Sequence, residues 1–115
     1  MNKFILRGLI SALIFLSACT KKQDPNNNLD LTQEQLFEKG KQVYIANCVS
    51  CHGADPKKDG SIGPAIWGSS LDLISHRVLT ADYPEGYTPK RSSTIMASLP
   101  YLKKDLPAIY QFLNQ

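Results

Sequence analysis

Two cysteines and a histidine stand close together in the middle of this sequence of 115 residues. The run Cys48-Val49-Ser50-Cys51-His52 has the pattern C-x-x-C-H. Thiols three positions apart lie on one face of a helical turn. There both can bond to the vinyl groups of one haem, while the adjacent imidazole binds the iron. The motif therefore predicts one covalently attached haem c, held by Cys48 and Cys51, with His52 as an iron ligand.

A C-x-x-C pair has two other common uses, and the rest of the sequence favours neither. A thioredoxin-like redox pair normally lies in a βαβ unit, and this sequence has no alternating strand pattern. A structural zinc site needs two further cysteine or histidine ligands at suitable spacing. Apart from His52, the sequence contains one histidine, His76. Both alternatives are therefore weaker than haem attachment.

The chain before the motif predicts a helix that leads into it. Thr32 and Gln35 have the spacing of a capping box, so we expect a helix that starts at Thr32 and runs to about Asn47. Gly40 lies in the middle of this helix, where glycine is less favourable than alanine by roughly 1 kcal/mol. Its presence there indicates that another backbone comes close.

The rest of the domain is predicted to be all-α, with helices joined by irregular loops. We expect further helices over 71–79, over 92–99 and from about Asp105 to near the C-terminus, and loops over 53–70 and 83–89. A chain of this length buries a limited core, so a cofactor is a natural supplement to its stability.

The N-terminus has the features of an export signal. Lys3 and Arg7 precede a short apolar run that is shorter than the roughly 20 residues a membrane-spanning helix needs. Leu16-Ser17-Ala18-Cys19 resembles the bacterial lipobox, which implies that Cys19 is acylated and becomes the first mature residue. An uncleaved anchor and an ordinary secretory signal are the alternatives, and all three predict export.

These features divide the sequence into a signal peptide over 1–18, a lipidated cysteine with a flexible tether over 19–30, and a folded domain over 31–115. Removal of the signal takes away two basic residues and leaves all ten acidic ones, so the formal net charge falls from +3 to +1. The sequence has no basic patch of the kind that would indicate a nucleic-acid partner.

Residues 31–115 resemble a class I c-type cytochrome. Gly40 and Tyr44 match a glycine and an aromatic residue on the N-terminal helix of this family. Ile109 and Phe112 match an apolar and an aromatic residue on the C-terminal helix that crosses it. The resemblance implies a small all-α fold in which these two helices cross beside a covalently bound haem.

The loop after the haem motif carries a further point of likeness. Gly63-Pro64 resembles the family's loop in which a proline carbonyl accepts a hydrogen bond from the proximal imidazole. The resemblance therefore implies a bond from His52 to the carbonyl of Pro64. Such a bond fixes the orientation of the ring and strengthens it as a ligand.

Met96 is the expected sixth ligand of the iron. It is the only methionine after the predicted signal, and it lies shortly before the last helix, where the family places its axial ligand. A thioether at this position raises the reduction potential. Three alternatives stay open: Met96 as a core residue, His76 as the ligand, and an iron with no sixth protein ligand.

Tyr87 and Arg91 are candidate hydrogen-bond donors to the haem propionates, because partly buried carboxylates need polar partners. Trp67 and Lys90 are weaker candidates for the same role.

The preferred function is one-electron transfer by a carrier that is not an enzyme, because an iron with both axial positions filled has no site for a substrate. We expect a monomer held by its lipid at the membrane, in the periplasm or outside the cytoplasmic membrane. Its partners would be redox proteins of a respiratory chain, with no nucleic acid and no small-molecule substrate. The alternatives are a haem subunit of a dehydrogenase or terminal oxidase, a haem sensor or peroxidase-like enzyme with open iron, and a thiol oxidoreductase.

Overall fold

The computed structural model describes residues 31–115, and the predicted signal, Cys19 and tether lie outside the described residues. Helix α1 spans Gln33–Asn47, α2 Val49–His52, α3 Leu71–Thr80 and α4 Leu106–Asn114, and a 3₁₀ helix over Pro100–Asp105 directly precedes α4. Irregular loops join α2 to α3 and α3 to the 3₁₀ helix. No strand occurs between residues 31 and 115, which confirms the all-α class.

The capping box at the start of α1 is present as predicted. The backbone N–H of Gln35 donates to the Thr32 hydroxyl at 3.2 Å, and the Gln35 side chain accepts from the Thr32 backbone N–H at 2.9 Å. These two bonds satisfy donors that a helix start would otherwise leave unpaired. They fix the register of the helix that leads to the haem motif.

Gly40 is the point at which α1 meets α4. A Cβ atom at this position would collide with the backbone carbonyl of Ala108, lying 2.6 Å from its carbon and 2.8 Å from the Cβ of Phe112. The predicted close approach of another backbone is therefore present. The nearest contact of Gly40 is Ala108, and not Ile109 of the expected pair Ile109 and Phe112. Ile109 is the next residue of α4 and is buried, with 2% of its surface exposed.

An aromatic cluster fills the crossing of these two helices. The Phe112 ring lies 5.5 Å from the Phe37 ring and 5.2 Å from the Tyr44 ring, both in tilted arrangements that aromatic pairs favour. The buried core continues from here into α3 and the 3₁₀ helix: Tyr44, Ile74, Val78, Leu102, Leu106, Ala108, Ile109, Phe112 and Leu113. An ion pair of 2.9 Å between Lys39 and Asp105 flanks the crossing.

Helix α3 begins at the predicted place. Ser70 caps it by accepting from the backbone N–H of Leu73 at 3.2 Å, and Ile74 and Val78 bury its apolar face. The helix ends at Ala81, which adopts a left-handed conformation with φ of 62°. The segments 53–70 and 83–89 are loops, as the glycines and prolines predicted.

The helix predicted over 92–99 is wrong. This segment is irregular, and the next helical turn begins only at Pro100 as a 3₁₀ helix. Proline disfavours helical dihedral angles in the residue before it, and Leu99 has φ of −128° and ψ of 62°. The serines and the threonine at the start of the segment 92–99 also favour local side-chain hydrogen bonds over a helix. Eight residues without a cap therefore do not form a helix.

Within residues 31–115, none of the helices has the length and hydrophobicity needed to cross a membrane.

Gly40→Ala is expected to lower the free energy of unfolding by about 1–3 kcal/mol. The added methyl group would meet backbone atoms, which move less easily than a side chain, so the gain in helix propensity is outweighed. Urea denaturation measures the effect. Lys41→Ala, at an exposed position of the same helix, is the control and is expected to change little. A Gly40→Ala protein as stable as the wild type would contradict the close approach of the two helices.

Candidate functional site

The C-x-x-C-H motif lies where α1 passes into the single turn of α2. Cys48 joins the two helices, and its backbone N–H still donates to the carbonyl of Tyr44 at 2.8 Å. The backbone N–H of His52 donates to the Cys48 carbonyl at 2.9 Å, and Gly53, with φ of 80°, ends the turn. Because the turn stays helical, side chains three and four positions apart are neighbours. Both thiols and the imidazole therefore face the same space.

That space is a cavity of about 300 Å³, at the lower end of the range for small-molecule sites. Its walls come from every major part of the fold. The buried side chains of Tyr44, Ile74, Val78, Ile109 and Leu113 line it from α1, α3 and α4. The loops on either side of α3 complete it. The cavity is therefore built into the core and is largely apolar.

Cys48 and Cys51 are not joined to each other by a disulfide. Burial, and to a smaller extent the nearby Cys51, raises the pKa of the Cys48 thiol to about 11. A cysteine that works in thiol exchange needs a lowered pKa, because the thiolate is the reactive form. The environment of Cys48 acts in the opposite direction, which weighs against the thiol oxidoreductase alternative.

Tyr44 ties the end of the motif to α1. Its hydroxyl donates to the carbonyl of Gly53 at 2.7 Å, directly after His52. Burial raises the pKa of Tyr44 to about 12, so the hydroxyl keeps its proton and its role as donor across the physiological range.

The His52 ring is held on two sides. Its Nδ1 lies 2.8 Å from the carbonyl oxygen of Pro64. A carbonyl can only accept, so Nδ1 carries the proton and Nε2 keeps its lone pair free to bind a metal. Gly63 packs against the ring, and a Cβ there would lie 2.5 Å from Cε1 and 2.6 Å from Nδ1. The hydrogen bond that the family resemblance implied is therefore present.

The loop over residues 59–65, here called the proximal loop, supports this arrangement. The backbone N–H groups of Gly63 and Ile62 donate to the carbonyl of Cys51 at 2.8 and 3.3 Å. Gly60 lies so close to the backbone of Cys51 and His52 that a Cβ would collide with both. The sequence placed this segment in a loop, and its glycines are what allow it to pack on the motif.

Met96 lies in the irregular segment before the 3₁₀ helix. It is half-buried, packs against the core and lines the same cavity as Cys48, Cys51 and His52. His76 does not line it. His76 is exposed on α3, where its Nε2 lies 3.6 Å from Asp72. Of the two candidates for a sixth ligand, the structure brings only Met96 into the cavity with His52.

Tyr87 and Arg91 also line the cavity, together with two residues that sequence reasoning did not single out, Arg77 and Tyr83. The Tyr83 and Tyr87 rings stack at 5.3 Å and are nearly parallel. The Arg77 guanidinium lies over Tyr83 at 4.1 Å, and it donates to the carbonyl of Ala81 at the end of α3. The sequence signal available was the pair of tyrosines four residues apart after a helix with an arginine in its last turn.

The two weaker candidates for contact with the propionates, Trp67 and Lys90, lie in different places. Lys90 lines the cavity, whereas Trp67 does not and instead packs under Lys57, whose Nζ lies 4.1 Å from the centre of the indole ring.

The chemistry of the cavity lining fits a haem c. It offers two thiols for thioether bonds, an imidazole and a thioether for the iron, and three cations, Arg77, Lys90 and Arg91. Among residues 31–115 no carboxylate lines the cavity, although the ligand it would hold carries two. An apolar wall with cations at its polar part is what a partly buried dianionic macrocycle requires.

Comparison with known proteins agrees with this chemistry. The family model for cytochrome c matches residues 37–115. The chain belongs to the cytochrome c family. It is 31% identical over 85 residues to a cytochrome c-553-like protein of Synechocystis sp., an alignment that covers 69% of this chain and 79% of the relative.

Two shorter matches each cover a small part of a longer protein. The chain is 49% identical over 41 residues to the cbb3-type cytochrome c oxidase subunit FixP of Sinorhizobium medicae, and 46% identical over 41 residues to FixP of Rhizobium meliloti. Each alignment covers 31% of this chain and 14% of the relative. This cytochrome c thus shares a short region with oxidase subunits.

Membership of the family establishes that the chain carries covalently attached haem c and acts in haem-based electron transfer. The zinc alternative receives no support. In the part of the chain that the structure describes, no three histidine, cysteine, aspartate or glutamate side chains come together to hold a bare metal ion.

Gly63→Ala is expected to displace the His52 ring and weaken its bond to Pro64, because the new methyl group would overlap the imidazole. We expect a changed absorption spectrum and a lower yield of haem-loaded protein. Gly86→Ala is the control for the contact with the ring. Unlike Gly63, Gly86 has a positive φ, of 77°, so alanine strains the backbone there, but its Cβ meets no described residue within 4 Å. Identical spectra and yields for the two variants would contradict the packing of Gly63 on the ring.

Asp59→Asn is expected to destabilise the protein at neutral pH only. The Ala65 backbone N–H and then Arg91 hold the pKa of the Asp59 carboxyl below its ordinary value. The ionised carboxylate therefore stabilises the fold above the ordinary pKa, and this contribution is lost as the pH falls through the lowered one.

We expect the variant to melt below the wild type at pH 7, by a modest amount because Asp59 is exposed. The gap should close as the pH falls through the lowered pKa of the Asp59 carboxyl. Thermal denaturation at neutral and progressively more acidic pH measures it, with Glu38→Gln on α1 as control. A gap that stays constant with pH would contradict the pairing.

Proposed function

We propose that this cytochrome c is a one-electron carrier whose haem is attached to Cys48 and Cys51 and ligated by His52 and Met96, and that it works outside the cytoplasm on a lipid anchor. The observation that carries the proposal is the shared cavity: these four side chains, from two distant parts of the sequence, line one apolar space in the core.

Each side chain has a separate task in this proposal. The haem, when bound, supplies an iron that gains and loses one electron without transfer of atoms. Cys48 and Cys51 prevent loss of the cofactor by bonding to it. His52 presents Nε2 in a fixed orientation because Pro64 holds Nδ1. The core residues around the cavity exclude water from the iron.

In this proposal Met96 would supply the second protein ligand to the iron. A neutral, soft sulfur favours the reduced iron and raises the reduction potential. Filling both axial positions leaves no position for a substrate, which is why we propose a carrier rather than an enzyme or a gas sensor. The half-buried position of Met96 in the cavity lining supports this assignment.

The cations Arg77, Lys90 and Arg91 give the site its electrostatic balance. Because no carboxylate of residues 31–115 is in the lining, a buried carboxylate of the cofactor would meet positive side chains there, of which Arg91 is paired with Asp59. Charge-assisted hydrogen bonds of this kind are the stronger ones, and Tyr87 is a neutral donor at the same wall.

The lipid anchor is proposed on the lipobox that ends at Cys19. We expect the eleven residues between it and the folded domain, 20–30, to act as a tether with an r.m.s. reach of roughly 17–20 Å if they behave as a flexible chain. Such a tether keeps the haem near the membrane surface and lets the domain turn toward different redox partners as a monomer.

A second candidate function is that of a haem subunit in a terminal oxidase. The short match to the cbb3-type oxidase subunit FixP favours it, although it covers only 14% of that relative. Solubilisation of the native membrane separates the two. A free carrier migrates alone at the size of a monomer, whereas a subunit co-purifies with an oxidase.

Met96→Ala is expected to remove the weak far-red band that arises from charge transfer between sulfur and oxidised iron, and to lower the reduction potential. The reduced variant should also bind carbon monoxide, which the wild type should not. Ser98→Ala, two positions further along the chain, exposed and outside the cavity lining, is the control and should keep the band. A band that persists unchanged in Met96→Ala would show that another group ligates the iron.

Cys19→Ser is expected to release the protein from the membrane, because the acylation site is lost while the signal and the folded domain are unaffected. Cell fractionation and mass spectrometry of the mature N-terminus measure this. Thr20→Ser is the control and should remain membrane-bound and acylated. Recovery of Cys19→Ser in the membrane fraction, or a wild-type N-terminus without lipid, would contradict the anchor.

A further inference from the structure

Two consecutive cations bind the proximal loop from the segment that follows α3. Lys90 Nζ donates to the carbonyl of Ala65 at 2.7 Å. Arg91 Nη1 donates to the carbonyl of Ile62 at 2.8 Å, and its Nη2 lies 3.4 Å from the carbonyl of Gly60. Three backbone carbonyls of one loop are thus held by side chains that are more than twenty residues away in sequence.

Asp59 joins both parts of this arrangement. Its Oδ1 accepts from the backbone N–H of Ala65 at 2.7 Å, and its Oδ2 lies 3.2 Å from Arg91 Nη2. The carboxylate therefore closes the proximal loop on itself and fixes the guanidinium against it. We call Asp59, Lys90 and Arg91 together the clamp.

The clamp acts on the residue that holds the imidazole. Pro64 lies between Gly63, whose N–H is bound to the Cys51 carbonyl at 2.8 Å, and Ala65, which Asp59 and Lys90 hold at its N–H and its carbonyl. The Pro64 carbonyl that accepts from His52 is therefore fixed from both neighbouring residues. Movement of either one would rotate this carbonyl relative to the ring.

The clamp also limits the segment that carries Met96. Arg91 precedes Met96 by five residues, which span at most about 17 Å when fully extended. On the other side, the backbone N–H of Leu99 donates to the carbonyl of Val78 at 2.6 Å. Met96 thus lies on a short irregular stretch anchored at one end by the clamp and at the other end to α3.

From these contacts we propose that Arg91 is a positioning residue that couples the two sides of the haem site: through the proximal loop it sets the orientation of His52, and through the chain it restrains Met96. The proposal rests on the ligation by His52 and Met96 proposed above. It replaces the expected propionate contact as the main role of Arg91, because the guanidinium donors already face loop carbonyls and Asp59.

The test uses the haem-loaded protein and two variants. Arg91→Lys keeps the charge but lacks the planar, forked set of donors, and Arg91→Gln removes the charge as well. Lys41→Gln, which removes a cation from an exposed position of α1 that does not line the cavity, is the control. Because Arg91→Lys preserves the charge, an effect shared by both variants reports geometry rather than a change in electrostatic potential.

We expect three changes in both variants and none in the control. The Ala65 amide should exchange hydrogen faster by at least about tenfold, because loss of the contact between Arg91 and Asp59 releases the carboxylate that holds this amide. Cyanide should bind the oxidised protein faster by a similar factor, since it must wait for Met96 to leave the iron. The hyperfine-shifted NMR signals of the His52 ring should move.

Three results would overturn the proposal. One is that exchange at Ala65, cyanide binding and the His52 signals are unchanged in both variants. Another is that amides in the core of α4 accelerate as much as Ala65, which would make Arg91 a residue of general stability. A third is that only Arg91→Gln shows the effects, which would assign them to charge.

A separate measurement on the wild type shows whether the proposed ligation of the iron by Met96 fails. If the wild type lacks the far-red sulfur band, the assignment of Met96 fails, and with it the restraint on Met96. Exchange at Ala65 and the His52 signals then decide the proximal half of the proposal alone.

Discussion

The contact between Gly40 and the backbone of Ala108 sets how closely α1 can approach α4. At this distance Phe112 reaches both Phe37 and Tyr44, and the N- and C-terminal parts of the domain share one core. Since α1 ends at the haem motif, the crossing also fixes where Cys48 stands relative to the walls of the cavity on α4. A side chain at position 40 would separate the helices and change the geometry of the site together with the core.

The site itself combines two kinds of support. Apolar packing makes the cavity, and burial among these residues raises the pKa of the Cys48 thiol. Hydrogen bonds then orient the groups that this packing cannot orient. Pro64 fixes the tautomer and plane of His52, and Tyr44 fixes the chain directly after it. The fold thus provides a largely apolar cavity and a histidine whose ring is oriented by its bond to Pro64.

Much of this could be predicted from local sequence signals. The capping box at Thr32 predicts the start of α1, and a glycine in mid-helix has a physical cost that only a close neighbour explains. The C-x-x-C-H motif specifies its chemistry by spacing alone. The Pro64 contact required a family resemblance, because nothing local indicates which carbonyl an imidazole will meet.

Other features depend on contacts between residues far apart in the chain, and the sequence carries no local sign of them. The segment over 92–99 has apolar residues at spacings compatible with a helix, but Pro100 and the need to reach α3 through Leu99 keep it irregular. Arg91 has the side-chain chemistry of a hydrogen-bond donor to a haem propionate. In the structure, however, its partners are backbone carbonyls about thirty residues earlier. Arg77 and Tyr83 enter the cavity only because α3 ends where it does.

The central claim is that Cys48 and Cys51 carry the haem in thioether linkage, next to the His52 that ligates its iron. The most direct test is mass spectrometry of the peptide containing residues 48–52, from protein exported by cells with a working c-type maturation system. The account predicts one haem bound to this peptide through both cysteines, with no free thiol in either. Recovery of the peptide with two unmodified thiols, from cells in which other c-type cytochromes mature normally, would contradict it.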